Sequence, residues 1–317
     1  MNDALSPVAP RASGRAGFRR TILAGFAAFS LTPQPFAGVV HETTSAYHHI
    51  LVVDQRGRRT LSFDGSEETR MSLANPLQGH FEYVEYFFTP WLWNTNISNV
   101  LMLGLGGGSI QRLYAAHCPT VTIDTVEVDA AVQRVAGQYF NFNTGPRQRV
   151  FVQDGRMFLR RSNARYDLIL LDAYTRGRYG SAIPHHLATR EFFTLAREHL
   201  TADGVLAYNV IGTLNGYRAD IVGSVYRTMK TVFPEVHLFP ATESLNIVLV
   251  GTVRPVQVTP AWLKERTETV VNRGLVKLPT FAQRVSAFRA MPPANVERCP
   301  LLTDDFAPVD GLLGNTR

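Results

Sequence analysis

The 317-residue chain is poor in cysteine, with Cys118 and Cys299 alone. Two isolated thiols exclude a disulfide framework and a cysteine-built metal site. They suit a reducing compartment without ruling out an oxidising one. Long apolar runs are lacking too. Outside one short stretch near the N-terminus, nothing approaches the roughly 20 apolar residues that cross a bilayer. No basic run interleaved with aromatics occurs. Of the formal net charge of +6, half comes from residues 1–37, where Arg11, Arg15, Arg19 and Arg20 stand against Asp3. A pI raised by a tail is no footing for a nucleic-acid partner, and none is expected. His48-His49 and His185-His186 are adjacent pairs, and neighbours on a strand point to opposite faces. No metal site is expected from them. What is present is ordinary for a globular protein with a sizeable core, at 45% hydrophobic and 18% charged residues.

Residues 1–37 look like a targeting leader. Arg19-Arg20 precede an apolar stretch from Thr21 to Leu31, broken by Pro33 and Pro35, with Ala37 as a tolerable cleavage position. The length fits a signal h-region and is too short for a membrane span. Paired arginines there resemble a twin-arginine signal, which exports folded proteins. The expectation is export to the periplasm, with a cytoplasmic location as the alternative. Membrane association is expected only through an uncleaved leader.

The chain is organised around Asn99 to Asp129. An apolar run (Val100 to Leu103) leads into Gly104-Leu105-Gly106-Gly107-Gly108-Ser109. A helical stretch follows (Ile110 to Ala116), then a second apolar run (Val121 to Val126) ending on Glu127. Strand, glycine turn, helix, strand and acid make a βαβ nucleotide-binding unit. Glycines permit a tight turn and close ligand approach, and the helix N-terminus offers free N–H groups. Glu127 is placed for ribose hydroxyls. Serine at position 109 departs from the dinucleotide spacing and argues against a nicotinamide-dependent oxidoreductase.

Upstream, Tyr47 to Val53 and Arg58 to Phe63 flank Asp54-Gln55-Arg56-Gly57 and read as a β-hairpin, the centre of a small β-domain over residues 40–80. The aromatic segment His80 to Trp93 has helical spacing at Tyr83, Tyr86 and Phe87, from which Tyr83 or Glu82 could reach a ligand. Downstream, Asp129 caps a helix. Strands Arg149 to Gln153, Tyr166 to Leu171 and Val205 to Val210 follow, with helices around Thr189 to Leu200 and Ile221 to Val232. Val236 to Phe239 and Leu245 to Val250 close the sheet as an antiparallel hairpin. Alternating strands and helices predict an α/β, Rossmann-like, doubly wound and mostly parallel sheet over residues 81–255, with a C-terminal extension over 256–317. Glu127, Asp154 and Asp172 all fall at strand ends, where such sheets bind ligands.

The set GLGGGS, VEVD, QDGR and LDAY, in this order and spacing, resembles the polyamine aminopropyltransferase (spermidine synthase) family, over roughly residues 42–251. Ser45-Ala46-Tyr47 and Phe63-Asp64-Gly65 resemble its N-terminal β-domain. Its wider relatives are the class I methyltransferases. The resemblance implies S-adenosylmethionine or its decarboxylated form as donor, and no metal. Gly104, Gly106, Gly108, Glu127, Asp154 and Gly155 would bind the donor. Asp172 and Tyr174 would be catalytic, and His48, Tyr83 and Arg176 would meet the substrate. A small-molecule donor and acceptor are the implied partners, with a homodimer as the one assembly entertained.

Departures bear on the acceptor. The family's second aspartate after the fourth strand is missing, and the loop Asp172-Ala173-Tyr174-Thr175-Arg176-Gly177-Arg178 carries two arginines instead. Cations there favour an anionic or neutral acceptor over a diamine unless they point outward. His48 replaces a glutamine, and Thr242-Glu243-Ser244-Leu245 replaces a Pro-Ser-Gly stretch. Leu302 to Asp310 reads first as a surface turn capping the last strand; the functional alternative is that Asp304 or Asp305 folds back over the site, replacing the lost acid or pairing with Arg176 or Arg178. The reading is aminopropyl transfer to a nucleophilic acceptor. Methyl transfer and nucleoside binding without turnover are the alternatives.

Overall fold

Val100 and Met102 face one side of a strand and Leu101 and Leu103 the other, and all four are buried. Such a strand belongs inside a parallel sheet covered on both faces. The computed structural model places it there, and describes residues 38–178, 180–294 and 296–314. The expected leader, residues 1–37, lies outside the described residues.

A four-stranded antiparallel sheet comes first: β1 (Gly38–Thr44), β2 (His49–Gln55), β3 (Arg58–Phe63) and β4 (Ser66–Ser72). Two-residue turns, Arg56-Gly57 and Asp64-Gly65, join β2 to β3 and β3 to β4. All four turn residues have positive φ, which suits the twist of a tight hairpin. The aromatic segment forms only a four-residue helix, α1 (Tyr83–Tyr86), and a 3₁₀ turn (Thr89–Leu92). The expected long helix stops because Pro90 has no N–H to continue it. Tyr83, Tyr86 and Phe87 are still buried, as the spacing predicted, with Phe88 and Trp91 beside them and Phe81 and Trp93 half-buried.

The central layer alternates as expected: β5 (Asn99–Leu103), α2 (Ser109–His117), β6 (Thr122–Glu127), α3 (Ala130–Tyr139), β7 (Gln148–Val152), α4 (Gly155–Arg161) and β8 (Tyr166–Leu171). The arginine-bearing loop then makes a short antiparallel pair, β9 (Thr175–Gly177) and β10 (Gly180–Ala182). Next come α5 (Arg190–Glu198), β11 (Leu200–Ile211), α6 (Ala219–Lys230), β12 (Glu235–Pro240) and β13 (Asn246–Thr252). Sheet order is β12-β13-β11-β8-β5-β6-β7. Six strands point the same way, five of them (β11, β8, β5, β6 and β7) as parallel neighbours, and β13 alone is antiparallel, set between β11 and β12. The fold is therefore a mostly parallel α/β sheet beside an N-terminal antiparallel sheet.

One face of the central sheet packs Leu101, Ile169 and Leu206 against Phe192, Phe193 and Val225. The other packs Val100, Leu168 and Val248 against Phe87, Phe88 and Leu113. Each such side chain, fully buried, contributes roughly 1.5–3 kcal/mol. The N-terminal sheet sets Ile50, Val52, Leu61 and Met71 on α3 and on Phe140 and Phe142. The last elements, α7 (Pro260–Asn272), α8 (Phe281–Val285) and α9 (Val309–Gly314), fold onto these faces. From α8, Arg284 reaches Glu82 at 2.7 Å and Glu85 at 2.6 Å. Glu82 thus turns into a buried ion network, away from any ligand.

Candidate active site

β5 lies between β6 and β8, and the chain passes from one flank of β5 to the other after β7. Open α/β sheets bind ligands at such a reversal, beyond the C-terminal strand ends. Asp172 follows β8, the glycine turn follows β5, Glu127 ends β6 and Asp154 follows β7. With neighbouring strands about 4.8 Å apart, three steps put Asp172 and Asp154 roughly 14 Å apart along the rim. That spacing accommodates a purine, a ribose and a short alkyl chain laid end to end.

A cavity of about 410 Å³ opens over this rim. Gly104, Gly106, Glu127, Asp154, Gly155 and Asp172 line it, as do His48, Tyr83 and Tyr174. Two expected site residues do not. Gly108 begins α2 at φ 72°, and a Cβ there would meet the Phe142 ring at 2.8 Å. Its missing side chain makes room for packing, not for a ligand. Arg176 is 74% exposed, stands 3.6 Å from Asp64, and lines an adjoining cavity of about 220 Å³.

The glycine turn is held from three sides. Gly104 has φ 102°, and a Cβ on it would strike the Asp172 carbonyl, so only glycine lets the ends of β5 and β8 meet. The Gly107 N–H donates to Thr69 Oγ1 on β4 at 2.9 Å. The buried Arg112 guanidinium donates to the Gly107 and Phe140 carbonyls.

Glu127 accepts the N–H groups of Leu105 at 3.0 Å and Asp129 at 2.9 Å. Burial pushes its pKa up to about 7, and those N–H donors limit the rise. Asp154 caps α4 through the Met157 N–H at 2.8 Å, while its other oxygen lies 3.0 Å from His186 Nε2. Next to it, Arg156 holds Asp304 at 2.6 and 2.7 Å. The alternative in which Asp304 closes over the site or pairs with Arg176 or Arg178 is thus not met: Asp304 is engaged with Arg156. It fastens the C-terminal stretch behind α4, where Thr189 also donates to it at 2.7 Å.

Asp172 accepts from Tyr83 Oη at 3.0 Å and from Asn209 Nδ2 at 2.8 Å. Burial raises its pKa to about 6, against the pull of those two donors. Tyr83 is pushed well above the usual phenol value by burial and then by Asp172, so it stays a donor. The Tyr174 hydroxyl donates to the Asn209 carbonyl at 2.7 Å. Its proton is engaged with backbone, which fits a wall better than the catalytic part expected for it. His48 is buried, stacks on Phe63 at 4.5 Å and approaches Asp64 at 3.3 Å.

One residue escaped sequence reasoning. Glu68, on β4, lines both cavities and accepts from Ser181 Oγ at 2.8 Å. Burial raises its pKa, and the nearby Asp172 charge raises it further. A second acid is thus present, supplied from the N-terminal sheet and not from the loop after β8. Its signal was an acid three places beyond the Asp64-Gly65 turn and two beyond Ser66, with which it shares the Ser181 hydroxyl. Among the described residues, no group of three or more His, Cys, Asp or Glu side chains is placed to hold a metal.

Residues 83–243, half of the chain, match the Spermine/spermidine synthase domain family. A polyamine aminopropyltransferase of Vibrio vulnificus is 30% identical over 284 residues, covering 86% of this chain and 90% of that protein. Spermidine synthase from Thermotoga maritima superposes with a TM-score of 0.57 at 19% identity, covering 78% of this chain and 87% of that one, a likeness of fold. Human methyltransferase-like protein 13, solved with SAH, gives 0.52 at 26% identity, covering 61% of this chain and 88% of that one. A strand-end rim with its acids, an N-terminal antiparallel sheet and a near full-length relative agree: the chain belongs to the spermine/spermidine synthase family.

Proposed function

We propose that the protein transfers an aminopropyl group from decarboxylated S-adenosylmethionine to an amine. The observation that carries this is Asp172, a buried carboxylate at the end of β8, oriented by Tyr83 and Asn209 and joined by Glu68 on the same cavity. Along the rim, Asp154 meets the adenine, Glu127 the ribose hydroxyls, and the turn at Gly104 and Gly106 the sulfonium end. Asp172 stands beside the carbon under attack.

The amine nitrogen forms a bond to the propyl carbon as the carbon–sulfur bond breaks. The bonding pair goes to sulfur, giving neutral methylthioadenosine. The displaced amine proton passes to Asp172, whose pKa of about 6 leaves it ionised at neutral pH. Positive charge moves from sulfur to nitrogen, and a fixed carboxylate beside the nitrogen stabilises that shift. In-line placement of the two reactants supplies much of the remaining acceleration.

Methyl transfer is the second reading, favoured by likeness to a methyltransferase solved with SAH. Glu68 and Asp172, the two carboxylates at the end of the cavity away from Asp154, weigh against it, since the carboxylated donor would bring a third beside them. The test is product analysis. Methylthioadenosine formed only from the decarboxylated donor plus an amine supports aminopropyl transfer; S-adenosylhomocysteine formed from the carboxylated donor overturns it. For location, the paired Arg19-Arg20 support export in folded form. N-terminal sequencing from the native host should find a cut near Ala37; an intact Met1 would sink that proposal.

A further inference from the structure

We propose that His186 sets which purine the protein accepts, as a positioning residue that aims Asp154 at the 6-amino group of adenine. This rests on the aminopropyl reading, in which Asp154 meets the adenine, and adds the residue that selects the base. His186 and Asp154 both line the donor cavity, and both side chains are half-buried there. Asp154 has two oxygens, and both are held. One accepts the Met157 N–H at 2.8 Å as the cap of α4; the other lies 3.0 Å from His186 Nε2. A carboxylate only accepts, so Nε2 carries the proton in that contact. Each oxygen keeps a further lone pair for the base.

His186 is itself clamped. It sits in the 3₁₀ turn His185–Leu187, which is anchored by the buried Leu187. Arg156, two residues beyond Asp154, donates to the His186 carbonyl at 3.2 Å and holds Asp304 as well. The turn and α4 are therefore joined twice, once through each side chain. The His185 ring stands edge-on to the His186 ring, with centroids 5.5 Å apart. The edge of the base explains why aim matters. Adenine offers an N–H donor at position 6 and an acceptor at N1; a 6-oxo purine reverses both. A carboxylate free to turn could follow the donor to N1. One held at both oxygens cannot, and it faces the 6-oxo group lone pair to lone pair. A site built around a substrate N–H rejects an analogue lacking it far more strongly than a site built on fit.

The probes are methylthioadenosine and methylthioinosine, which differ at that edge alone. Calorimetry on full-length protein should show methylthioadenosine binding more tightly by about 10²-fold or more. H186A should lose roughly tenfold of that ratio, the scale of one hydrogen bond to a charged group. H186Q, whose amide N–H can reach the same oxygen, should keep it. A ratio unchanged in H186A overturns the proposal, because the ring would then not be aiming Asp154. A ratio lost equally in H186Q overturns it too, because His186 would then act by shape alone. Equal binding of the two nucleosides by the parent has the same force. In all three cases the aminopropyl reading stands as long as methylthioadenosine binds; a parent that binds neither nucleoside overturns both. Should H186A fail to fold, H186L removes the donor while keeping the bulk, and its ratio is read in the same way.

Discussion

The donor side and the acceptor side of the cavity are built differently. Asp172, Gly104, Glu127 and Asp154 stand at the ends of four adjacent strands, so sheet geometry sets their spacing. The acceptor side is assembled from turns: β3–β4 with Asp64, β9–β10 with Arg176, and Glu68 held by Ser181 across from it. The first arrangement is rigid at Asp172, Gly104 and Glu127, because moving one of them means moving β8, β5 or β6, each a buried strand; Asp154 follows the half-covered edge strand β7. The second can be rewritten by changing a few exposed residues, with no cost to the core. One donor can thus be kept while acceptors change.

The strongest way to break this division is Asp172→Asn. It keeps the shape and loses the charge, so turnover should fall about 10²–10⁴-fold while methylthioadenosine binds as before; a matching loss of nucleoside binding would show that the two sides are not separable. Gly104→Ala attacks the seam between them. Strain at φ 102° alone costs on the order of 1–3 kcal/mol, and the Cβ also strikes the Asp172 carbonyl. Thermal unfolding should drop by several degrees and both substrates should bind worse; an unchanged melting curve would refute the close approach.

Glu127→Gln tests the donor side alone. In the parent, methylthioadenosine affinity should rise as pH climbs through about 7, because Glu127 accepts from ribose once ionised. The variant should bind about tenfold more weakly or worse, the loss of a hydrogen bond to a charged group, and show no such pH step. Acceptor kcat/KM should likewise fall as pH drops below about 6, where Asp172 takes up its proton. A profile flat across that range would argue against Asp172 as the proton acceptor.

The smallest expected effect lies outside both sides. Arg156 draws the Asp304 pKa down to about 2. Its stabilising share is present above the ordinary carboxylate value and lost as pH falls through about 2. With Asp304 41% exposed, Asp304→Asn should cost roughly 0.2–1 kcal/mol and leave turnover near the parent's. A large loss of activity would mean the C-terminal stretch shapes the site.

Legibility in the sequence follows the same line. β5, β6 and β8 could be read because apolar runs, a glycine turn and terminal acids are local signals. Their order along the chain then implied one rim. β4 could not be read so: Ser-Glu-Glu-Thr-Arg-Met-Ser has no apolar alternation. Its buried contacts, Thr69 to Gly107 and Met71 to α3, depend on partners far along the chain. The partner of Asp304 could not be read because Arg156, 148 positions away, left no trace beyond belonging to QDGR. Tyr174 looked catalytic from its place beside Asp172, and only coordinates reveal that Asn209 occupies its hydroxyl.

Glu68 and Thr69 are consecutive on β4, where its register with β3 shifts by one residue, and both line the cavity. One lines both cavities; the other grips the glycine turn through the Gly107 N–H. A tug on the first is therefore transmitted through a single peptide unit to the second. The two substrates share a lever, and the order in which they arrive should leave a kinetic signature there.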